Sequence, residues 1–338
     1  MIRLGVLDLS PVRSGGTARE ALEETIRLAR SVEAFGYERF WVAEHHGATG
    51  FAGSSPEVLI AEIAARTRRM RVGSGGVLLR HYSPLKVAEV FRTLEALHPG
   101  RIDLGIGRAP GGDAPTVAAL SGEDEADGFE AKLQALLGYL TDESDDPDAV
   151  RAVPTVDAGP AVWLLGSGTR SAAYAAYFGC SFAFAHFLAG DDGARVLRAY
   201  RERYHPSRLG PEPRSCLAVA ALCAPTDEEA DRLSASARLW FARTDGRFTA
   251  PDRGVDGRMP SVEEALAHRF TPEEQAKVAA VGDRWIAGGP ARVRDRLTEL
   301  VERSGADDVL VLTLCHDVEA RIRSYELIAE ALAPVAAR

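Results

Sequence analysis

The sequence predicts a closed (β/α)8 TIM barrel, an α/β fold that forms one domain over residues 1–338. Short runs rich in Val, Ile, Leu and Phe alternate with helical stretches eight times along the chain. Most of these runs are continuously apolar, which is typical of strands buried on both faces of a parallel sheet. Because eight strand–helix units favour closure, we predict a barrel in preference to an open doubly wound sheet.

Each predicted strand is separated from the next by a helix with a recognisable start. The strands span 2–8, 39–44, 71–79, 101–106, 161–166, 181–186, 216–223 and 308–314. Thr17 and Thr226 each precede a glutamate by three residues, which is the capping-box pattern. Further helix starts, with a capping side chain or an early proline, are predicted at Ser55–Pro56, Ser83–Pro84, Gly289–Pro290 and Asp317.

Two connections are longer than a barrel needs. Residues 141–160 form an acidic, proline-bearing segment, which we expect to be a solvated loop. Residues 244–289 form a long insertion between strands 7 and 8, with glycines followed by helical pieces near 261–285. Such an insertion can act as a lid over the barrel mouth.

Composition excludes several classes of partner. A formal net charge of −9 and a pI near 5.5 provide no attraction for nucleic acid or anionic lipid. No apolar run is long enough to span a bilayer, and the first residues lack the features of a signal peptide, so we expect a cytoplasmic protein without membrane contact. The four cysteines are scattered in or beside apolar runs, which indicates reduced core residues.

Barrel enzymes carry their chemistry where strands end, and the second strand ends in Glu44, His45 and His46. An imidazole at this position can serve as a base or as a hydrogen-bond donor to a cofactor, or it can simply bond neighbouring backbone. Since adjacent side chains of a strand point to opposite faces, the two histidines do not chelate one metal ion together. We therefore predict no metal site.

Two other strand ends are suited to a phosphate. Arg108 follows the fourth strand within a glycine-rich turn, where it can pair with an anion or with backbone carbonyls. Gly166, Ser167, Gly168 and Ser171 follow the fifth strand and lead directly into a helix, whose free N–H groups and positive end favour phosphate.

The third strand is unusual because it contains a run of glycines that includes Gly75 and Gly76. Glycines in a buried strand commonly mark a bulge or a ligand that lies against the backbone, and a flat ring would use that space. Candidate substrate contacts at other strand ends are Asp8, Tyr82 and His186. Each of these can equally be a satisfied polar group of the barrel mouth.

These stretches resemble the luciferase-like monooxygenase family over nearly the whole chain. The likeness is most specific in residues 44–46, 71–77 and 94–108 and in the Gly166-Ser-Gly turn, which are strong when taken together. Residues 6–11 and 108–112 are similar to those of a subgroup found beside natural-product clusters.

The resemblance implies a barrel that binds FMN, usually as FMNH2 from a separate flavin reductase. Reaction with O2 would give a C4a-hydroperoxyflavin, which oxygenates a small organic substrate. By matched position, His45 corresponds to the catalytic histidine, Arg108 to the phosphate-binding arginine, and Ser167, Gly168 and Ser171 to the phosphate loop. The resemblance also implies a cis peptide, here between Gly75 and Gly76.

Three alternatives stay open on the sequence. Some relatives use the deazaflavin F420 for hydride transfer, a degenerate relative could bind flavin without catalysis, and a metal-dependent hydrolase shares the fold class. Light emission is not expected, because Gly107 occupies the position of the reactive cysteine of luciferase proper. The likeness to the family and the frequency of two-fold assemblies lead us to expect a homodimer.

Overall fold

A computed structural model describes residues 2–121, 128–142, 148–244 and 256–333, and within them the predicted barrel is confirmed. The strands are β1 Arg3–Asp8, β2 Arg39–Val42, β3 Arg71–Ser74, β4 Val77–Leu78, β5 Ile102–Gly107, β6 Ala161–Gly166, β7 Ser181–Ala185, β8 Ser215–Cys223, β9 Trp285–Gly288 and β10 Asp308–Leu312. Their order is β10-β1-β2-β3-β5-β6-β7-β8, and pairing of β10 with β8 closes the ring. Every pairing is parallel, so all carboxyl ends face one mouth.

Helices surround this barrel; most of them contact its strands, and the two in the insertion pack on another helix instead. They are α1 Ala18–Ala34, α2 Pro56–Arg66, α3 Pro84–Leu97, α4 Ala114–Ser121, α5 Phe129–Thr141, α6 Thr169–Phe178, α7 His186–Ala189, α8 Gly193–Glu202, α9 Asp227–Arg243, α10 Val262–Ala267, α11 Pro272–Val281, α12 Pro290–Ser304 and α13 Val318–Leu332. Among the helices of the described residues, none is long and apolar enough to cross a membrane.

The predicted helix starts are in place, but not all of the predicted caps form. Thr17 makes the complete capping box, and Asp317 accepts the N–H of Ala320 at 2.8 Å. Thr226 caps α9, whereas the carboxylate of Glu229 pairs with Arg232 instead of returning to the cap. The serines before α2 and α3 form no side-chain cap, although proline occupies the first turn as predicted.

The third predicted strand, 71–79, is two strands rather than one. Gly73 pairs with Asp103 and Val77 pairs with Ile106. Between these two pairs the β3–β4 segment therefore has one residue more than β5. The hydroxyl of Ser74 bonds both backbone groups of Gly105 and replaces the ladder at this point. The Gly75–Gly76 peptide between β3 and β4 is cis, as the resemblance implied.

The insertion between β8 and β10 contains a strand that was not predicted. Four residues, Trp285–Gly288, pair with the carboxyl-terminal half of β8. Their short run lies inside a long segment without other strand signals, which is why the pattern did not separate it. The helical pieces expected near 261–285 are confirmed as α10 and α11, while 245–255 lie outside the described residues.

A buried ionic cluster fills the barrel interior below the mouth. Asp103, fully buried on β5, accepts hydrogen bonds from Arg39, from Trp41 Nε1 at 2.9 Å and from Arg71 Nε at 2.7 Å. Burial alone would raise the pKa of Asp103, but the two guanidiniums and the hydrogen bonds outweigh it and hold the pKa below its ordinary value. The Arg39 guanidinium also lies 5.0 Å from the Trp163 ring centre.

Candidate active site

The carboxyl ends of the strands surround a cavity of about 1160 Å³. Pockets for one drug-sized ligand usually span about 300–1,000 Å³, so this cavity has room for more than one small molecule. Eight of the predicted site residues line it: Glu44, His45, Gly75, Gly76, Arg108, Gly166, Ser167 and Ser171.

His45 lies just beyond the end of β2 and is fixed by its neighbours. Its backbone N–H donates to the carbonyl of Gly53 at 2.9 Å. Its ring stacks on Phe51, with the ring centres 4.2 Å apart and the planes inclined by 23°. Phe51 in turn contacts Trp240 of α9 edge-on. The imidazole is therefore held by packing while it lines the cavity.

Glu44 is a buried hydrogen-bond acceptor that links the end of β2 to residues that follow β3. Its carboxylate accepts from the Tyr82 hydroxyl at 2.7 Å and from the Leu78 backbone N–H at 3.0 Å, and it lies 2.7 Å from His46 Nε2. Burial, and then the bond to Glu44, raise the pKa of Tyr82. Since Leu78 belongs to β4, Glu44 fixes the strand that follows the cavity-lining Gly75–Gly76 pair.

Glu44→Gln is expected to lower the free energy of unfolding by about 1–3 kcal/mol, because the amide nitrogen cannot accept any of these bonds. Urea denaturation of both proteins measures the difference. Glu23→Gln is the matched control, because Glu23 forms an exposed helix pair with Arg19 that contributes little. Equal free energies of unfolding for the two variants would show that the Glu44 contacts do not stabilise the fold.

The loop after β5 forms another wall. Arg108 is exposed and lines the cavity, and no other arginine or lysine of the described chain does so. The loop is held from the neighbouring strand end, since the His46 N–H donates to the Gly111 carbonyl at 2.8 Å. His81 Nε2 lies 2.9 Å from the Pro110 carbonyl. Arg108 therefore belongs to a loop whose backbone is held in place by these contacts.

The predicted phosphate loop connects β6 to α6. A side chain at Gly166 would meet Ser171 at 2.4 Å, so glycine lets that serine approach the strand end. Gly168 is the N-cap residue of α6, and no side chain caps this helix. The first amides of α6 and the hydroxyls of Ser167 and Ser171 thus form a cluster of donors at the positive end of a helix.

Four predicted site residues do not line the cavity. Gly168 belongs to the loop but is not among the residues that line the cavity, and Tyr82 bonds Glu44. Asp8 is fully buried and pairs with Arg321 of α13 at 2.6 Å. His186 is also buried, beside Leu217 and Leu300. These strand ends are at the mouth as expected, but packing turns their side chains elsewhere.

Other cavity residues were not singled out from the sequence. They include the loop residue Thr49, Asp113 and Thr116 after β5, and apolar side chains of the strands, such as Leu7, Ala183, Ala218 and Leu310. Strand alternation indicates that these side chains point inward but not which layer of the barrel remains open. For the metal alternative, no cluster of three or more metal-ligating side chains occurs in the part of the chain that the structure describes.

The fold and the site define a (β/α)8 barrel enzyme whose cavity is built from the loops at the carboxyl ends of the strands. The profile of the luciferase-like monooxygenase family matches residues 2–308. The chain belongs to this family and is one of its oxidoreductases.

Similar proteins extend over the whole chain. YwcH of Bacillus subtilis is 45% identical, covering 98% of this chain and 100% of that protein. The N-acetyl-S-alkylcysteine monooxygenase of the same organism is 38% identical, covering 98% of this chain and 98% of its own. The solved structure of apo-MsnO8 is 43% identical, with a TM-score of 0.90 and 98% coverage of both chains.

Two more distant structures share the fold and contain ligands. The oxygenating constituent of 3,6-diketocamphane monooxygenase from Pseudomonas putida, solved with FMN, has a TM-score of 0.70 at 19% identity, covering 99% of this chain and 98% of its own. An F420-dependent secondary alcohol dehydrogenase, solved with an F420-acetone adduct, has a TM-score of 0.69 at 16% identity, covering 98% and 99%.

Proposed function

We propose that this chain is a flavin-dependent monooxygenase that binds FMNH2 in the mouth cavity and uses O2 to oxygenate a small organic substrate. The observation that carries the proposal is that His45, the Gly75–Gly76 pair, Arg108 and the loop after β6 line one cavity. Membership of the luciferase-like monooxygenase family supports the same chemistry.

The donor set fits a flavin mononucleotide. A phosphate monoester suits the uncapped start of α6, the hydroxyls of Ser167 and Ser171, and the guanidinium of Arg108. Gly75 and Gly76 both line the cavity, so a flat ring can lie against their backbone. In the proposal, Gly168 contributes through its place in the loop, and Glu44 acts by holding β4 in position.

Bound reduced flavin would supply the electrons that activate O2 for transfer of one oxygen atom to the substrate. The protein's part is to bind, orient and exclude water. His45 Nδ1 is buried, which leaves Nε2 as the ring nitrogen to exchange a proton with the cavity. Phe51 holds the plane of that ring by stacking.

The proposal extends to partners that the family resemblance implies. The flavin is reduced by a separate reductase in the cytoplasm, and the enzyme works as a homodimer. Of the predicted substrate residues, Tyr82 is assigned an indirect part in substrate binding, since its hydroxyl bonds the cavity-lining Glu44. Asp8 pairs with Arg321 and His186 lies beside Leu217 and Leu300, so we assign these two no contact with the substrate.

Anaerobic titration of the purified protein with FMNH2, and in parallel with reduced F420, tests the proposal. We expect saturable FMNH2 binding, followed on admission of air by oxidation whose absorbance course differs from that of free FMNH2. Binding of reduced F420 alone would instead indicate hydride transfer. FMNH2 binding with oxidation identical to that of free FMNH2 would indicate a non-catalytic flavin-binding protein.

A further inference from the structure

The cavity is divided between two halves of the barrel that differ in chemistry. Strands β2 to β6 and the loops after them are neighbours in the ring, and they supply every proposed flavin contact. They also supply all the polar and charged side chains of the cavity wall, including Glu44, His45 and Arg108. The opposite half consists of β7, β8, β10 and β1, which are also neighbours.

Every lining residue that the described part of this second half contributes is apolar. Leu7, Ala183, Ala185, Phe187, Ala218 and Leu310 are among them. Ala185, Ala218 and Leu310 pair across adjacent strands at one level, so they form a continuous patch. A charged group placed here would lose its hydration without gaining a partner, which is strongly unfavourable.

The small size of the β7 and β8 side chains is what opens this patch to the cavity. Leu7 and Leu310 project from β1 and β10, while the facing positions on β7 and β8 are alanines. An alanine in place of a leucine-sized residue leaves room for several carbon atoms. The space is therefore shaped for an alkyl or similar apolar group.

The cavity wall of the same half is also held from outside, by the part of the insertion that directly precedes β9. Arg284 donates to the Leu188 carbonyl at 2.8 Å and contacts the Phe187 carbonyl at 3.4 Å, both in α7. Its side-chain stem lies beside Gly190, where a Cβ would be 3.4 Å from Arg284 Cγ. Phe187 and Leu188 thus line the cavity on a helix that is fixed from outside.

We propose that the β7–β8–β10–β1 half of the cavity binds an uncharged, apolar part of the organic substrate, and that Ala218 sets the length of the group it accepts. The inference rests on the proposed function, because it assigns the polar half to the flavin. The flavin ring and the substrate then approach each other near the barrel axis, from opposite sides.

Calorimetric binding of straight-chain alcohols from butanol to decanol to the FMN-loaded protein tests this compartment. We expect affinity to rise roughly fourfold for each added methylene until the compartment is full, and then to level off. The matching carboxylates from butanoate to decanoate are expected to bind at least about tenfold more weakly, because the compartment offers no cation.

Ala218→Leu is expected to move the plateau to shorter chains and to leave FMN affinity within about threefold of the wild-type value. Ala218→Ser is the matched control of nearly equal volume; it should keep the plateau and weaken every alcohol by a similar factor. Ala185→Leu provides a second narrowing variant if the first does not fold, since Ala185 lies at the same level and is less buried.

Three results separate the inference from the proposed function. If FMN binds the wild type, but alcohols show no dependence on chain length or Ala218→Leu weakens FMN itself more than about tenfold, the compartment belongs to the flavin ring and the inference is overturned. If FMN does not bind but the alcohol series behaves as expected on the free protein, the compartment stands and the proposed function fails. If neither binds, both are overturned.

Discussion

Arg108→Ala is expected to weaken FMN binding by roughly 10- to 150-fold, because the variant loses a charge-assisted contact worth about 1.5–3 kcal/mol. No other arginine or lysine among the described residues lines the cavity, so no neighbouring charge there can replace it. Equilibrium dialysis or quenching of flavin fluorescence measures the effect.

Riboflavin is the control ligand for this variant, because it has the same ring without the phosphate. Arg108→Ala should leave riboflavin affinity nearly unchanged, and Arg108→Lys should bind FMN with intermediate affinity, since lysine keeps the charge but loses the planar fork. An equal loss for FMN and riboflavin would place Arg108 at the ring and contradict the phosphate assignment.

Asp103→Ala is expected to lower the free energy of unfolding by about 3–5 kcal/mol, since it leaves the buried Arg39 without its main carboxylate partner. Urea denaturation at neutral pH measures the loss. The control is Asp231→Ala, which removes an exposed pair with Arg238 and should change stability little. A loss below about 1 kcal/mol for Asp103→Ala would show that the cluster is not needed for the barrel.

The depressed pKa of Asp103 also predicts a pH dependence. A carboxyl whose folded pKa lies below its unfolded value of about 3.9 stabilises the fold above that value. The stabilisation is lost as the pH falls through the lower, folded pKa. The difference in unfolding free energy between wild type and Asp103→Asn should therefore be constant near neutrality and shrink below about pH 4. If the difference in unfolding free energy instead stays constant down to acid pH, the charge of Asp103 does not contribute and the packing of the side chain accounts for the stabilisation.

The barrel was predictable because its strands and helix starts have recognisable local sequence patterns. Continuous apolar runs marked the strands, and Thr17 and Asp317 marked helix starts that the structure confirms. The bulge that separates β3 from β4 depends on the hydroxyl of Ser74 bonding Gly105, which is 31 residues away. A contact of that range has no local signal.

Most of the predicted residues that line the cavity were found from glycines and from polar or charged residues at or after strand ends. The glycine run was expected to mark a bulge or a bound ligand, and the bulge is present between β3 and β4. Gly73 of the run, like Gly105 of β5, also serves the close packing of two strands. A Cβ on Gly73 would lie 2.4 Å from the Asp103 carbonyl, and one on Gly105 would lie 2.0 Å from that of Ser74. Gly75, Gly76 and Gly107 are the glycines of this region that line the cavity.

The position of a residue at a strand end did not predict the direction in which its side chain points. Asp8 ends β1 as expected, but its partner Arg321 lies on the last helix, 313 residues along the chain. The apolar half of the cavity was missed for a related reason. Alanines such as Ala183 and Ala218 look like ordinary core residues until the closed barrel shows which layer opens to the mouth.

A crystal structure of the protein with FMN tests the central claim most directly. We expect the phosphate between Arg108 and the loop at Gly166–Ser171, with the ring against Gly75–Gly76 and Ala218 left uncovered. A phosphate bound after β8 or β10, or a ring packed against Ala218, would contradict this account of the site.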